Sequence, residues 1–276
     1  MLEWVLLGVT AWLVYIAQKE KKRPVKRHIH CDVEVVESDR FVEVIVDNRY
    51  GVMVTASFDW RIVHHLAPEE QLPLERVIPG ATTVCVARLW KTAPGHQISV
   101  DYHWVWGSLT AHHDPDCIYH LPFASGKTFG VSQGPGGEFS HSGESFHAVD
   151  FDMPIGTPVL AARAGVVVDT EDDFRYAALG KEIGGNYVFV QHEDDTVAEY
   201  FHLKAGGVAV KPGTVVEVGD LLGYSGNSGY SGGPHLHFMV FKAKSGRLRE
   251  SLPLRFAVAG ANAPLSLEQG RRYTAL

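Results

Sequence analysis

The chain has few cysteines and no extended basic block in its second half, whereas clustered cysteines would indicate a zinc ribbon and clustered basic residues a nucleic-acid-binding protein. Its 276 residues include three cysteines, all in the first half, and their spacing matches no zinc ribbon. The formal net charge is −7, and the second half has no extended block of Lys and Arg. Proteins that bind nucleic acid need clustered positive charge, so the composition argues against a nucleic-acid partner. Cys31, Cys85 and Cys117 are expected to be either buried thiols or one disulfide with a third thiol left over.

No hydrophobic run has the usual length of a membrane-spanning helix. Residues 4–17 are apolar apart from Thr10, about 14 residues where a span needs about 20, and a basic run follows them. We predict an N-terminal hydrophobic anchor or signal segment over residues 1–27, and a protein that is membrane-anchored or exported to the cell envelope or periplasm. The basic run by itself favours cytoplasmic retention, so the orientation stays open, and a helix packed on the protein itself is the alternative.

The rest of the chain is rich in short alternating apolar runs. Hydrophobic residues make up 45% of the sequence, which is enough to build cores. Runs of period two, separated by Asn, Gly and Pro turns, predict an all-β fold. Residues 28–120 are predicted to form a β-sandwich-like accessory domain. The Gly- and Pro-rich residues 121–137 are predicted to be a linker.

The most informative motif is a His-x-His pair that follows a glycine-rich segment. His235 and His237 are two residues apart in a predicted strand, so both side chains leave the same face, whereas Leu236 points to the core. The preceding residues 226–233, which we call the glycine loop, contain four glycines that permit tight turns and close approach of another backbone. We interpret this segment as a metal-site strand next to the wall of a substrate groove.

Three more candidates precede this pair: His141, Asp150 and His202. In this order, His, Asp, His and His-x-His, the residues resemble those of the lysostaphin/LytM-type zinc metallopeptidases, which cut peptide cross-links in bacterial cell walls. The resemblance covers residues 130–252 and rests on five segments in the family's order, which are 156–165, 186–190, 200–203, 215–223 and 226–238.

The resemblance implies a LytM-type antiparallel β-sheet peptidase domain over residues 138–252, followed by a C-terminal tail over 253–276. It implies Zn²⁺ as the cofactor, Asp150 and His237 as zinc ligands, and His202 and His235 as the catalytic pair. The expected function is that of a zinc metalloendopeptidase that hydrolyses stem or cross-link peptides of peptidoglycan. The alternative is a non-catalytic module of the same fold that binds the cell wall or regulates a hydrolase.

The first zinc ligand departs from the family's pattern. The family usually has a histidine four residues before the aspartate, where this chain has Phe146. Two substitutes are His147 and His141. On a strand, an odd offset places His147 on the face opposite Asp150, whereas His141 can return through a Gly-containing loop. We therefore prefer His141 and keep His147 as the alternative.

The chemistry explains why these residue types are needed. Catalytic zinc has three protein ligands of nitrogen or oxygen type and one position for water, whose pKa it lowers toward about 7. Peptide hydrolysis further needs a proton acceptor and a donor to the developing oxyanion. A histidine can serve either role near neutral pH.

Overall fold

The computed structural model describes residues 31–71, 74–179 and 184–276. The predicted N-terminal anchor lies outside these residues. The described part contains strands and one short 3-10 helix, Gly143–Ser145, and no α-helix. The prediction of an all-β fold is confirmed.

The strands, in chain order, are β1 (Cys31–Glu37), β2 (Phe41–Asn48), β3 (Val54–His64), β4 (Leu66–Pro68), β5 (Leu74–Ile78), β6 (Thr82–Lys91), β7 (Gln97–Trp106), β8 (Ile118–His120), β9 (Thr128–Gln133), β10 (Val149–Phe151), β11 (Pro158–Leu160), β12 (Gly165–Glu171), β13 (Ala177–Ala178), β14 (Tyr187–Gln191), β15 (Val197–Phe201), β16 (Leu203–Val208), β17 (Val215–Val216), β18 (Leu221–Ser225), β19 (Gly229–Tyr230), β20 (Leu236–Ala243), β21 (Arg249–Ser251), β22 (Arg255–Ala257) and β23 (Arg272–Thr274).

The described residues group into two compact units. The first comprises the described parts of Met1–Arg49, Phe58–Leu74 and Thr82–Tyr102. The second comprises Tyr50–Ser57, Glu75–Ala81 and His103–Leu276. The segment predicted as an accessory domain over 28–120 thus contributes residues to both units.

The first unit contains an antiparallel sheet in the order β1-β2-β6-β4. Its strands follow from alternation in the sequence. In β2, Val42, Val44 and Val46 are fully buried, whereas Phe41, Glu43 and Ile45 are only partly buried. Side chains of period two on a strand leave opposite faces, so this pattern gives the sheet one buried face. A separate three-stranded sheet has the order β5-β3-β7.

The second unit is built on a large sheet whose strands run in the order β17-β12-β14-β15-β20-β10-β9-β23, with β21 also paired to β20. All of these pairings are antiparallel. A three-stranded sheet, β11-β18-β16, belongs to the same unit. Two short pairs, β13–β19 and β22–β8, are parallel. The antiparallel sheet expected for the peptidase domain is therefore present.

One face of the large sheet lies on the core of the second unit. Leu236, Phe238 and Val240 of β20 are fully buried in that core. The predicted C-terminal tail contributes to it as well, since Phe256 and Tyr273 pack there and β23 pairs with β9. Residues 253–276 are thus largely integrated into the second unit.

The sequence left open whether the cysteines form a disulfide and whether the chain contacts a membrane. Cys31 is buried, Cys85 exposed and Cys117 partly buried, and all three are free thiols. Among residues 31–71, 74–179 and 184–276, no helix is long and apolar enough to cross a membrane.

Candidate active site

Neighbouring strands bring the candidate residues to one place. Asp150, the central residue of β10, is directly opposite His237 of β20. Phe201, the last residue of β15, is opposite the same histidine, so His202 follows directly at the end of that strand. His235 precedes β20 and forms an isolated bridge with Gly226 of the glycine loop. The antiparallel register therefore places Asp150 beside His237, and the ring centroids of His202 and His237 are 6.0 Å apart.

His141, Asp150 and His237 form a buried cluster in which one ligand-type atom from each lies within 4.8 Å of the others. Nδ1 of His237 is 2.8 Å from Oδ1 of Asp150, and Nε2 of His141 is 3.1 Å from the same oxygen. The ring of His141 is fixed because its Nδ1–H donates to the carbonyl of Gly134 at 2.8 Å. Its Nε2 then carries a lone pair, is buried and has no hydrogen-bond partner among the described residues.

This donor set fits a zinc ion. Two imidazoles and one carboxylate are the nitrogen and oxygen ligands of catalytic zinc sites. The unpartnered lone pair of His141 is a ligand atom that the protein leaves unsatisfied in a buried position, which normally costs free energy. Within the part of the chain described by the structure, this is the one such group of three or more candidate ligands.

The electrostatics of the cluster favour an ionised carboxylate. Burial alone would raise the pKa of Asp150, but His141 and His237 hold it well below the ordinary range of an aspartate. For His237, burial would lower the pKa, but the hydrogen bond to Asp150 and the charge of that carboxylate raise it overall. The cluster therefore holds a buried negative charge next to two nitrogen ligands.

His202 is held beside this cluster in an unusual backbone conformation. Its φ is +64°, in the left-handed region that non-glycine residues rarely adopt. Its Nδ1–H donates to the carbonyl of Ser228 at 2.7 Å. Burial lowers the pKa of His202 to about 3, and the nearby His235 and His237 add to this shift. The ring is thus neutral near pH 7 and its Nε2 carries a lone pair.

His235 lies next to His202, with the two ring centroids 4.5 Å apart. Its Nδ1–H donates to the carbonyl of Gly233 at 2.8 Å, and Oγ of Ser231 is 3.2 Å from the same nitrogen. Its Nε2 is 3.9 Å from Oδ1 of Asp150. Both histidines thus use Nδ1 to contact backbone carbonyls and keep Nε2 free for other contacts.

These side chains open into a cleft of about 840 Å³. Asp150, His202 and His235 line it, together with residues 132–140 on one side and residues 230–234 of the glycine loop and its neighbours on the other. Phe139 and Tyr230, one from each side, stack with their ring planes within 3° and their centroids 5.7 Å apart. The cleft thus has aromatic side chains at its walls.

Part of the chain is similar to known peptidases. The sequence pattern of peptidase family M23 matches residues 144–248. Residues 144–248 are a peptidase family M23 domain. An uncharacterized metalloprotease from Buchnera aphidicola is 41% identical over 96 residues, which cover 35% of this chain and 23% of that protein.

Two relatives have named activities. The peptidoglycan DD-endopeptidase ShyA of Vibrio cholerae is 44% identical over 92 residues, covering 33% of this chain and 19% of ShyA. Lysostaphin of Staphylococcus simulans is 34% identical over 114 residues, covering 41% of this chain and 22% of lysostaphin. The chain therefore spans about a fifth of the length of these three relatives.

The M23 domain includes Asp150, His202, His235 and His237, whereas His141 lies before the matched range. The structure brings His141 into the cluster but not His147. His147 lies before β10 in a turn, so the strand offset used in the sequence argument does not apply to it. Its backbone N–H donates to Oγ of Ser251 at 3.1 Å.

The segment between His141 and Asp150 is anchored by a partly buried ion-pair network. Arg249 contacts Glu144 of the 3-10 helix at 3.1 Å and Glu199 of β15 at 2.6 Å. Arg249 also lies over the ring of Phe241, at 4.9 Å from its centroid. These contacts fix the eight residues, 142–149, that separate His141 from Asp150.

Two supporting residues of the candidate site were not predicted. The hydroxyl of Ser228 accepts a hydrogen bond from the backbone N–H of Asn186 at 2.9 Å and donates to the carbonyl of Leu203 at 2.8 Å. These bonds fix Ser228, whose own carbonyl accepts the hydrogen bond from His202. Gln133 of β9 donates to Oδ2 of Asp150 at 2.9 Å. An isolated glutamine or serine in the sequence has no spacing rule that would have identified either one.

Proposed function

We propose that this chain is a zinc-dependent endopeptidase that hydrolyses peptide bonds in the stem or cross-link peptides of peptidoglycan. The observation that carries the proposal is the cluster of His141, Asp150 and His237 with His202 and His235 directly beside it at the base of an open cleft. The activities named for ShyA and lysostaphin support the substrate class.

In this proposal His141, Asp150 and His237 hold the zinc ion. When bound, the ion supplies an activated water nucleophile and polarises the scissile carbonyl. The carboxylate of Asp150 keeps its charge in the buried cluster because the two histidines lower its pKa. The ligand atoms of all three residues lie within 4.8 Å of one another, as a shared ion requires.

His202 and His235 carry the proton transfers. His202 is neutral near pH 7 and its Nε2 is a lone pair, which suits a group that accepts a proton. His235 keeps its Nδ1–H on the carbonyl of Gly233, so on protonation its Nε2–H becomes a donor for a developing oxyanion or leaving amine. Because both rings are fixed through Nδ1, each presents the same nitrogen to the reacting centre throughout.

The cleft suits an extended peptide. Residues 132–140 and the glycine loop offer backbone groups on both sides, and Gly232 and Gly233 line the wall without side chains. An extended chain can pair with such backbone groups while side-chain pockets select its residues. The charge distribution supports the same partner, since the described residues that line the cleft include no Lys or Arg that would favour a polyphosphate.

The remaining assignments belong to the same proposal. The enzyme acts in the cell envelope or periplasm, where its substrate lies, and residues 1–27 attach it to the membrane or direct its export. Residues 28–120 act as an accessory domain, residues 121–137 as a linker and residues 138–252 as the peptidase domain, with residues 253–276 as its C-terminal extension.

A zinc-to-protein ratio measured together with a digest of purified muropeptides tests the proposal. We expect one zinc ion per chain and new peptide fragments that disappear when a chelator removes the metal. A protein that binds zinc and the cell wall but releases no fragments would support the non-catalytic module instead. The Asp150→Asn variant is the matched control, since it keeps the size of the side chain but removes the ligand charge.

A further inference from the structure

Gln133 lies between the metal cluster and the wall of the cleft. It is the last residue of β9, is 7% exposed and uses its whole amide group. Its Nε2 donates to Oδ2 of Asp150 at 2.9 Å and to Oγ of Ser140 at 2.8 Å. Its Oε1 accepts from the backbone N–H of Phe139 at 2.9 Å and of Ser140 at 3.1 Å. Both donors and both lone pairs of the amide are therefore satisfied.

One half of this network sets the orientation of Asp150. The two carboxylate oxygens have separate partners, because Oδ1 faces His141 and His237 whereas Oδ2 accepts from Gln133. A carboxylate that is free to rotate would present either oxygen to the histidines. The hydrogen bond from Gln133 therefore selects the oxygen that lies among the nitrogen ligands.

The other half of the network fixes the wall of the cleft. The backbone groups that Gln133 binds belong to Phe139 and Ser140, directly before His141. Phe139 stacks on Tyr230 across the cleft. The chain also passes so close to Gln133 at Gly137 that a Cβ there would overlap the glutamine side chain, so only glycine fits that position.

We propose that Gln133 is a positioning residue that couples the affinity of the site for zinc to the placement of residues 137–141, which carry His141 and the aromatic wall of the cleft. Groups that orient metal ligands typically change metal affinity by about 10- to 100-fold when they are removed. Here the same amide also holds the substrate wall, so a single replacement disturbs both. The expected effects on zinc affinity and on residues 137–141 follow from the donor set alone. The expected effect on substrate binding rests on the proposed function.

The test uses the full chain with Gln133→Met, which is close in length but neither donates nor accepts these hydrogen bonds. We expect the affinity for Zn²⁺, measured by competition with a chromophoric chelator, to fall by about 10- to 100-fold. We also expect faster hydrogen exchange at the amides of residues 137–141. The matched control is Gln97→Met, at an exposed position of β7, which should leave both quantities unchanged.

A second variant, Gln133→Asn, keeps the amide but is too short to reach Asp150 and the loop together. It is the deciding variant if Gln133→Met does not fold, which a thermal melt of the metal-free protein will show. It should lose both zinc affinity and the protection of residues 137–141 from hydrogen exchange.

Two results would overturn the inference. One is a folded Gln133→Met variant whose zinc affinity stays within about twofold of the wild type, well below the effect expected for an orienting group. The other is reduced zinc affinity with unchanged exchange at 137–141, which would remove the coupling. Neither readout uses a peptide substrate, so a chain that shows the coupling but releases no muropeptide fragments would contradict the proposed function alone.

Discussion

At the scale of single residues, the proposed metal ligands and the proposed proton-transfer groups differ in small details of contact. His202 and His235 both use Nδ1 to bind carbonyls of the segment 228–233, whereas His237 directs its Nδ1 to Asp150. His202 achieves this in the left-handed backbone region, a conformation that costs about 1–3 kcal/mol and persists only where surrounding contacts enforce it. Such strain at the end of β15 is consistent with a functional position.

Replacing His202 or His235 by Ala should leave zinc bound but lower turnover by about 10²-fold or more, because each ring is proposed to transfer protons and neither belongs to the cluster of His141, Asp150 and His237. Zinc content and single-turnover peptide cleavage on the same preparations are the measurements. Since Ala is no more strained than His at φ +64°, the fold of the His202 variant should survive. Loss of zinc from either variant would refute the assigned roles.

The two candidates for the first ligand can be distinguished directly. His141→Ala should lose most of its zinc, because it removes the buried lone pair of the cluster. His147→Ala should retain zinc, because that side chain is outside the cluster. Metal analysis after gel filtration compares them, and the opposite pattern would reassign the ligand to His147.

At the scale of elements, the glycine loop combines positions that need glycine for different reasons. Gly229 has a φ of +79°, and a Cβ there would overlap the backbone of Gly184. Gly232 and Gly233 have no atom within 4 Å of such a Cβ and no positive φ. The backbone thus requires glycine at Gly229, whereas at Gly233 the absent side chain only leaves room in the cleft.

Gly233→Val should therefore fold and bind zinc normally but raise the KM for peptides or abolish cleavage, because its side chain occupies substrate space. Gly229→Val is the contrasting variant and should lower the melting temperature, since it combines overlap with an unfavourable φ. A thermal melt, metal content and cleavage kinetics together make the comparison. Normal kinetics for a folded, zinc-loaded Gly233→Val would show that this loop does not bind substrate.

The elements also show how far sequence reasoning reaches. Alternating apolar runs predict an all-β fold, and the parity of His235 and His237 predicts that both rings reach one site, because strand geometry fixes side-chain direction locally. The position of His141 in the cluster depends on its hydrogen bond to the carbonyl of Gly134 and on the hydrogen bond from Gln133 to Asp150. No local sequence pattern predicts these contacts. Short pairs such as β13–β19 were missed for the same reason.

At the scale of the whole molecule, one buried histidine of the second unit links stability to pH. His192 is 3% exposed and its Nδ1–H donates to the carbonyl of Ala164 at 2.8 Å. Burial lowers the pKa of His192 to about 4, and the hydrogen bond and Asp194 only partly oppose this. An unfolded histidine titrates near pH 6.5, so between these values the unfolded chain takes up a proton that the folded chain does not.

The stabilising contribution of neutral His192 is therefore complete above about pH 6.5 and lost as the pH falls toward 4. Over this interval the free energy of unfolding of the wild type should fall by up to about 3 kcal/mol more than that of His192→Gln. Urea unfolding at several pH values measures the difference, with the exposed His120→Gln as control. Parallel pH profiles for wild type and His192→Gln would disprove it.

The pairing of β23 with β9 has a consequence for how the molecule tolerates cleavage. β23 is the outermost strand beside β9, and an exposed turn at Gly270 connects it to the preceding residues. A protease that cut this turn would release the three residues of β23. Tyr273 of that strand, and Ala275 after it, would then leave the core. The uncovered backbone of β9, which carries Gln133 at its end, would then be an open sheet edge that invites pairing with other chains. A trimmed preparation would accordingly tend to self-associate, and intact mass should be checked before any loss of zinc is ascribed to a point substitution.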